Sequence, residues 1–228
     1  MPPEQLPLPV PPEDRPARLP SRIVPMQATQ VDAPFDDAGY FFEPWWPGIR
    51  AFALAERGRL RLQADGLADA TATFPELSEL LGQLGEDGVV LDGTLLVLDD
   101  DGRPDPALLR ARLDGQADAG RPAYVASDLL WAGGEPVTRR SFRVRRRWLG
   151  ALLADGDRVV AGRGYTGDGT LVAEALASLG IDGLSARQLS ARYREGPAGA
   201  AWLRAPIIPA EPRARPTLAL ILRLPLSD

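Results

Sequence analysis

The stretch Glu43-Pro44-Trp45-Trp46-Pro47-Gly48-Ile49-Arg50 places two tryptophans, two prolines and a glycine within eight residues. Two runs follow it, residues 49–56 and 59–63, with Gly58 between them. The second run alternates leucine with polar side chains, and a period of two is typical of a half-buried strand. We therefore predict an antiparallel hairpin that carries this stretch on its first strand or just before it.

Three side-chain types are missing from the composition. The 228 residues include no cysteine and no histidine, and all 26 basic residues are arginine, so lysine is absent too. Disulfides, thiolate or histidine metal sites and Ser-His arrangements are therefore excluded within this chain. A lysine nucleophile is also excluded, and arginine cannot replace it because a guanidinium stays protonated.

The charge and the apolar pattern limit the classes of partner. The formal net charge is −5 and the pI is near 5.0, which argues against strong nonspecific binding to nucleic acid. No apolar run reaches the ~18 residues of a transmembrane helix. The first residues lack the basic-then-apolar pattern of a signal peptide. We therefore expect a cytoplasmic protein with no membrane partner.

Proline divides the chain into three parts. Residues 1–20 contain eight prolines, and because proline lacks a backbone donor and resists helix, we predict a disordered leader or a docking peptide. Residues 21–206 form the predicted globular domain, which is long enough to bury a core. Residues 207–228 are a Pro-rich tail in which the apolar run 217–224 is a candidate edge strand.

Apolar periodicity predicts a mixed series of elements over the central part. Helices are predicted at 74–84, 106–113, 141–153 and 171–179. Strands are predicted at 88–99, with a kink at Asp92-Gly93, and at 123–131, 158–161, 181–187 and 201–205. The segment 162–167 fits the pattern G-x-G-x-x-G, but the preceding strands are not separated by helices, so we do not predict a dinucleotide site there.

The predicted helix 141–153 has Ser141 at its start as a candidate N-cap. Arginines precede this helix and line one face of it: Arg139, Arg140, Arg143, Arg145, Arg146 and Arg147. This face is either solvated or contacts phosphates, and the sequence leaves both interpretations open.

Further short motifs flank the opening stretch in a fixed order. They are Pro25-Met26-Gln27-Ala28, Phe74-Pro75-Glu76-Leu77, Leu91-Asp92-Gly93-Thr94, Asp101-Gly102-Arg103-Pro104-Asp105, Tyr124-Val125-Ala126-Ser127-Asp128-Leu129-Leu130, Asp182-Gly183-Leu184-Ser185-Ala186-Arg187 and Trp202-Leu203-Arg204. In this order and spacing, residues 25–204 resemble the nucleotidyltransferase (adenylation) domain of ATP-dependent DNA ligases of the bacterial repair type.

The resemblance implies an α+β fold, that of the DNA ligase/mRNA capping enzyme nucleotidyltransferases, which is ATP-grasp-like. In it, antiparallel sheets are flanked by helices and enclose a central cleft. The family continues into an oligonucleotide-binding barrel. The last twenty or so residues of this chain cannot form the five strands of such a barrel, so we predict no barrel domain here.

The resemblance also shows what has changed at the reactive position. The family's motif lysine attacks the α-phosphate of ATP and carries AMP, and Trp45 occupies that position. An indole has no basic lone pair, so no catalytic residue is predicted. Pro47 replaces the motif's acid, Thr94 a glutamate, and Ser127 the aromatic residue that stacks on adenine.

The remaining site residues follow from the resemblance alone. It assigns nucleotide-binding roles to Arg50, Asp92, Arg187 and Arg204, metal binding to Asp182, and ATP and Mg²⁺ as cofactors. Each assignment has a purely structural alternative. Arg50 is either a ligand clamp or a fold contact, Asp92-Gly93 is either a site or a strand kink, and Trp45 and Trp46 fill either the core or the pocket.

Three functions fit these observations. The favoured one is a degenerate ligase domain that has lost self-adenylation and keeps a nucleotide-, DNA- or partner-binding role related to DNA repair. The second is an active ligase or nucleotidyltransferase with an unrecognised nucleophile. The third is a noncatalytic module that binds DNA or a repair protein through the face from Arg139 to Arg147. The sequence leaves the oligomeric state open.

Overall fold

The computed structural model describes residues 19–208. The strands are β1 (Met26–Gln27), β2 (Thr29–Gln30), β3 (Asp37–Pro44), β4 (Ile49–Glu56), β5 (Arg59–Ala64), β6 (Val89–Leu98), β7 (Arg121–Ala132), β8 (Glu135–Pro136), β9 (Val159–Ala161), β10 (Tyr165–Gly167), β11 (Gly183–Gln188), β12 (Gly196–Pro197) and β13 (Trp202–Pro206). The helices are α1 (Ala70–Thr73), α2 (Leu80–Gln83), α3 (Pro106–Leu113), α4 (Phe142–Leu152) and α5 (Gly169–Ser178), with 3-10 turns at Pro75–Glu79 and Gly199–Ala201.

Two sheets form the framework, and their architecture is the α+β fold that the sequence predicts. The large sheet has six strands, in the order β5-β4-β6-β7-β8 with β9 beside β7. The small sheet has five strands, in the order β10-β3-β11-β13-β2. Antiparallel pairing dominates, while β7 with β9, β13 with β2, and β1 with β12 are parallel pairs.

The two sheets pack against each other through an apolar layer. Leu96 and Val125 of the large sheet share a buried cluster with Phe42 and Leu184 of the small sheet. Helix α5 closes the same cluster with Leu176 and neighbouring residues. On the other face of the large sheet, α4 and the short helices cover a second core that includes Leu91, Leu129 and Leu149. The sheets are therefore held at a fixed separation, and a cleft can form between their ends.

The hairpin predicted from the opening stretch is present as β4 and β5. The two strands pair antiparallel from Ala51 opposite Ala64 to Glu56 opposite Arg59. The turn between them uses positive φ angles of 54° at Arg57 and 68° at Gly58. Strand β6 has a register irregularity between Asp92 and Gly93, which is the predicted kink.

Two local predictions need correction, and one short helix was not predicted. The predicted helix 74–84 is a 3-10 turn that begins at Pro75, followed by the four residues of α2. Gly82 lies within α2, and its low helix propensity weakens a continuous α-helix. Helix α1 was not predicted. Ser141 precedes α4, but its side chain makes no capping hydrogen bond. Instead, the backbone amides of Phe142 and Arg143 donate to the carbonyl oxygens of Ala191 and Leu189 at 2.7 and 2.9 Å.

The segment 162–167 does not form a dinucleotide-binding turn. Its last residues form β10, which pairs antiparallel with β3. Most of the predicted leader and tail, residues 1–18 and 209–228, lie outside the described residues, so the disordered leader and the edge strand stay predictions. Among the helices of the described part, none is long and apolar enough to cross a membrane.

Candidate functional site

The opening stretch connects the two sheets at the mouth of the cleft. Glu43 and Pro44 end β3 in the small sheet, and Arg50 lies at the start of β4 in the large sheet. The amide of Trp45 donates to the carbonyl oxygen of Gly183 at 2.8 Å, which fixes the stretch to β11. Gly48 passes so close to β6 that a Cβ atom would lie 2.1 Å from the carbonyl oxygen of Leu95. The glycine is therefore a steric requirement of this crossing.

A cavity of about 120 Å³ lies between the sheets at this point. Both sheets and the crossing contribute its lining: Glu43, Pro44, Trp45, Trp46, Gly48, Arg50, Asp92, Gly93, Thr94, Ser127, Ser185, Arg187 and Trp202. Pockets that enclose drug-sized ligands occupy roughly 300–1,000 Å³. The cavity is therefore small for a whole nucleotide, and three of its lining side chains are indoles.

Trp45, at the predicted nucleophile position, has its side chain stacked rather than free. Its ring lies 5.7 Å from the ring of Trp202 with an interplanar angle of 30°. The guanidinium of Arg204 lies 4.5 Å from the centroid of the Trp45 ring. Trp46 is buried in the apolar layer between the sheets. Both tryptophans line the cavity. Each also packs against a buried cluster, Trp46 in the layer between the sheets and Trp45 beside Trp202.

Arg50 and Asp92 form an ion pair on the floor of the cavity. The Arg50 Nε and Nη2 atoms donate to the two Asp92 carboxylate oxygens at 2.9 and 2.5 Å. Arg50 also donates to the carbonyl oxygen of Met26 and, at 3.2 Å, to the hydroxyl of Tyr193. Its guanidinium lies 4.7 Å from the Trp202 ring centroid. This arrangement has the geometry of the predicted fold contact, because each Arg50 donor nitrogen has a protein partner.

Arg187 lies at the centre of a second charged network. Its Nε donates to Glu43 at 3.1 Å, and its Nη1 approaches Asp128 at 3.5 Å. Asp128 in turn accepts two bonds of 2.8 Å from Arg145 of α4. Burial raises the pKa of the Glu43 carboxyl, and the positive charges of Arg187 and Arg146 offset part of that effect. The network links β3, β7, β11 and α4 through groups that have little contact with water.

The five predicted site residues are not all brought together. Arg50, Asp92 and Arg187 line the cavity. Arg204 lies beside it, against Trp45. Asp182 is exposed and is not among the cavity-lining residues of the described chain. The structure therefore gathers the four predicted nucleotide-binding residues around the cavity or its edge, while the predicted metal ligand lies apart.

The described residues form no preassembled cage of metal ligands. Mg²⁺ binding by proteins uses one or two carboxylates together with water and substrate phosphates. Within residues 19–208, no group of three or more acidic, histidine or cysteine residues converges on one point. Glu43, Asp92 and Asp128 already pair with guanidinium groups, and Asp182 stands alone. We therefore assign no chemical step to a metal ion at this site.

Sequence reasoning missed three of the residues that shape the site. Glu43 and Asp128 are carboxylates inside apolar strands, and such groups need buried partners. Their positions in the sequence therefore indicate that each carboxylate has a buried partner. Trp202 donates from Nε1 to the Ser185 hydroxyl at 2.9 Å and stacks on Arg187 at 4.0 Å. Nothing in its local sequence indicates these contacts, because both partners lie on β11.

Comparisons of the sequence with known proteins identify a family. A model of the ATP dependent DNA ligase domain matches residues 25–205. The multifunctional non-homologous end joining protein LigD of Mycolicibacterium smegmatis is 28% identical over 193 residues, which cover 84% of this chain and 25% of that protein. The SPbeta prophage-derived DNA ligase-like protein LigB of Bacillus subtilis is 24% identical over 182 residues, covering 80% of this chain and 66% of that protein.

Solved structures of DNA ligases are also similar to this chain. A mycobacterial DNA ligase D complexed with ATP and MES is 30% identical with a TM-score of 0.70, over 80% of this chain and 60% of that one. The ligase domain of LigD from M. tuberculosis is 28% identical with a TM-score of 0.69, over 79% of this chain and 58% of that one. The chain spans about a quarter of the LigD proteins that it matches. By its motifs, its fold and the extent of the family match, this chain belongs to the ATP-dependent DNA ligase domain family.

Proposed function

We propose that this chain is a ligase-family adenylation domain that does not form the covalent AMP intermediate. The observation that supports this most directly is Trp45 at the position of the motif lysine, with its indole in contact with the Trp202 ring and the Arg204 guanidinium. Covalent nucleotidyl transfer needs an amine with a free lone pair in line with the α-phosphate. The sequence contains no lysine that could take over this role.

The retained role that we propose is noncovalent binding of nucleotide, DNA or a repair partner, in the cytoplasm. Relatives named as non-homologous end joining proteins support the link to DNA repair. A similar structure that is complexed with ATP supports ATP as the nucleotide. For such a ligand, Arg50, Asp92, Arg187 and Arg204 are the proposed contacts, and Asp182 is the proposed single acidic contact to a metal. Trp45 would have to move for a whole ATP molecule to enter.

An adenylation assay tests the loss of covalent chemistry. The purified protein is incubated with α-labelled ATP and either Mg²⁺ or Mn²⁺, denatured, and measured for label on the polypeptide. We expect no label above background, whereas a LigD ligase domain treated in parallel should be labelled. An acid-labile label on this chain, or sealing of a nicked duplex by it, would instead support an active enzyme with another nucleophile.

Calorimetric titration with ATP, with and without Mg²⁺, then separates two forms of the proposal. One is a domain that binds nucleotide without reacting, and the other is a domain that acts only through DNA or a protein partner. Because the adenylation assay and the titration measure different steps, the loss of chemistry and the retention of binding are tested separately.

A further inference from the structure

A groove runs along one face of α5, apart from the cavity between the sheets. Its walls are the loop 32–34 after β2, residues 206–208 at and after the end of β13, and the α5 residues Thr170, Ala173, Glu174 and Ala177. We call it the α5 groove. Its volume is about 360 Å³, which lies within the roughly 300–1,000 Å³ of pockets that enclose ligands. The α5 groove is therefore large enough to hold several side chains of a bound segment.

Hydrogen bonds connect the walls of the α5 groove to one another. The amide of Val31 donates to the carbonyl oxygen of Arg204 at 2.9 Å, which joins the loop 32–34 to β13. The amide of Thr170 donates to the Asp36 carboxylate at 2.8 Å, which joins the start of α5 to the residues that follow this loop. The shape of the groove is therefore set by the fold.

Most of the residues that line the α5 groove are apolar. Ile208 is 90% exposed although its side chain is large and apolar. Within residues 19–208, the other exposed large apolar residues are Leu171, which lies on α5 outside the groove, and Val24. Covering an apolar surface is favourable because it removes that surface from water. The groove therefore favours an occupant with apolar side chains.

The charged residues of the groove are both acidic. Asp32 and Glu174 are exposed, and among the described residues that line the groove none is basic. Opposite charges attract even at an exposed site, although the gain from each pair is small. An occupant that fits this groove therefore combines apolar side chains with positive charge.

The sequence that follows Ile208 has this combination. Residues 212–224 contain three arginines and no acidic residue. Within them, six of the eight residues 217–224 are leucine, isoleucine or alanine. This segment of the chain therefore matches the groove in both apolar character and sign of charge.

The same segment starts at the groove and is long enough to fill it. Ile208 is the last described residue and lines the groove. The eight residues 209–216 can span at most about 26–29 Å, whereas α5 with its ten residues is about 15 Å long. The apolar run 217–224 can therefore reach any part of the groove. A segment on a short linker has an effective concentration of the order of millimolar, which favours it over a second copy of the chain.

We propose that residues 209–224 bind in the α5 groove of their own chain. The leucines of the segment pack against the apolar lining, and its arginines lie near Asp32 and Glu174. The groove shares no lining residue with the cavity between the sheets, so this contact is independent of the proposed loss of adenylation. It fixes the end of β13, the strand that carries Trp202 and Arg204 to the cavity.

Disulfide cross-linking tests this contact without background, because the chain contains no cysteine. The test series combines Glu174→Cys, in the groove, with Leu218→Cys, Leu220→Cys or Leu222→Cys. The matched control series replaces Glu174→Cys by Ala175→Cys. Ala175 is the next residue of α5, is exposed and does not line the groove, so an unbound segment would reach both positions equally.

The full chain is oxidised at low protein concentration in a glutathione buffer, and the disulfides are identified by mass spectrometry of non-reduced peptides. We expect at least one test variant to form an intramolecular disulfide at least about tenfold faster than its control, because a bound segment holds the two Cα atoms within the roughly 4.4–6.8 Å that a disulfide requires.

Two cross-linking results would overturn the proposal. Equal rates in the test and control series would mean that the segment is unbound, and disulfide-linked dimers in place of the intramolecular bond would assign the groove to a second copy of the chain. Thermal unfolding under reducing conditions checks that every variant folds. A cysteine-free variant, Leu220→Asp/Leu222→Asp, gives a second measurement. Its unfolding midpoint should fall by at least about 3 °C because two apolar contacts are lost, and an unchanged midpoint would also contradict binding in the groove.

Discussion

Arg145 contradicts the interpretation that the arginines of α4 all lie on a solvated face. It lies among arginines that suggest a solvated helix face, yet its guanidinium is buried against Asp128. Periodicity contains the reason, because residues 142, 145, 149 and 152 fall on one side of an α-helix and the other three are Phe, Leu and Leu. An arginine on an apolar stripe requires a buried acid, but the sequence does not specify which one.

The first prediction concerns this pair. Arg145→Met should lower the free energy of unfolding by about 3–5 kcal/mol, because it removes both close guanidinium bonds from the fully buried Asp128, which then keeps the Leu129 amide at 2.9 Å and its longer contact to Arg187. It also removes the donors to the carbonyl oxygens of Arg140 and Ala191. The matched change Arg147→Met on the exposed face of α4 should stay within about 0.5 kcal/mol of the wild type. Urea unfolding of the two variants makes the comparison, and similar losses in both would show that Arg145 is not held as described.

At the level of helices and strands, the sequence predicts the features that depend on interactions between residues close together in the chain. Helix α3 has the predicted bounds because Pro106 occupies its first turn and Asp105 accepts hydrogen bonds from the amides of Ala107 and Leu108. The kink at Asp92-Gly93 also follows from its residues. The gathering of β11 and β13 around the cavity could be anticipated only through the family resemblance, because it depends on contacts between distant segments.

The contact between β3 and β11 carries the second prediction. A Cβ atom on Gly183 would lie 2.8 Å from the Cβ of Trp45, and the backbone bond between these residues prevents either strand from moving away. Gly183→Ala should therefore cost about 1–3 kcal/mol in unfolding free energy.

A second glycine provides the control for that change. Gly150 lies in α4, and a Cβ atom there meets nothing within 4 Å. Gly150→Ala should stabilise the protein by about 0.5–1 kcal/mol, because alanine loses less conformational entropy in a helix. Denaturant titration gives both values, and a neutral Gly183→Ala would mean that the crossing at Trp45 is looser than the structure indicates.

At the scale of the whole molecule, some arginines form buried ion pairs and others are exposed on the surface. Arg50, Arg112, Arg145 and Arg187 pair with acids at sites that are largely or wholly buried. Of these, Arg187 contacts acids of both sheets, Glu43 and Asp128. Guanidinium groups suit this role because they form several bonds in one plane and stay charged when buried. The sequence shows that lysine is absent, but it does not show which arginines face inward, since that depends on the tertiary partners of each one.

The difference between buried and exposed ion pairs leads to the third prediction. Raising NaCl from about 50 to about 500 mM should change the free energy of unfolding by less than about 1 kcal/mol, because buried ion pairs are screened far less than exposed ones. The exposed pairs, such as Arg110 with Asp114, contribute at most about 1 kcal/mol each and lose that contribution in salt. Relief of repulsion among the excess negative charges offsets part of this loss. Urea unfolding at both salt concentrations provides the measurement, and a loss of more than about 2 kcal/mol would mean that exposed pairs hold the two sheets together.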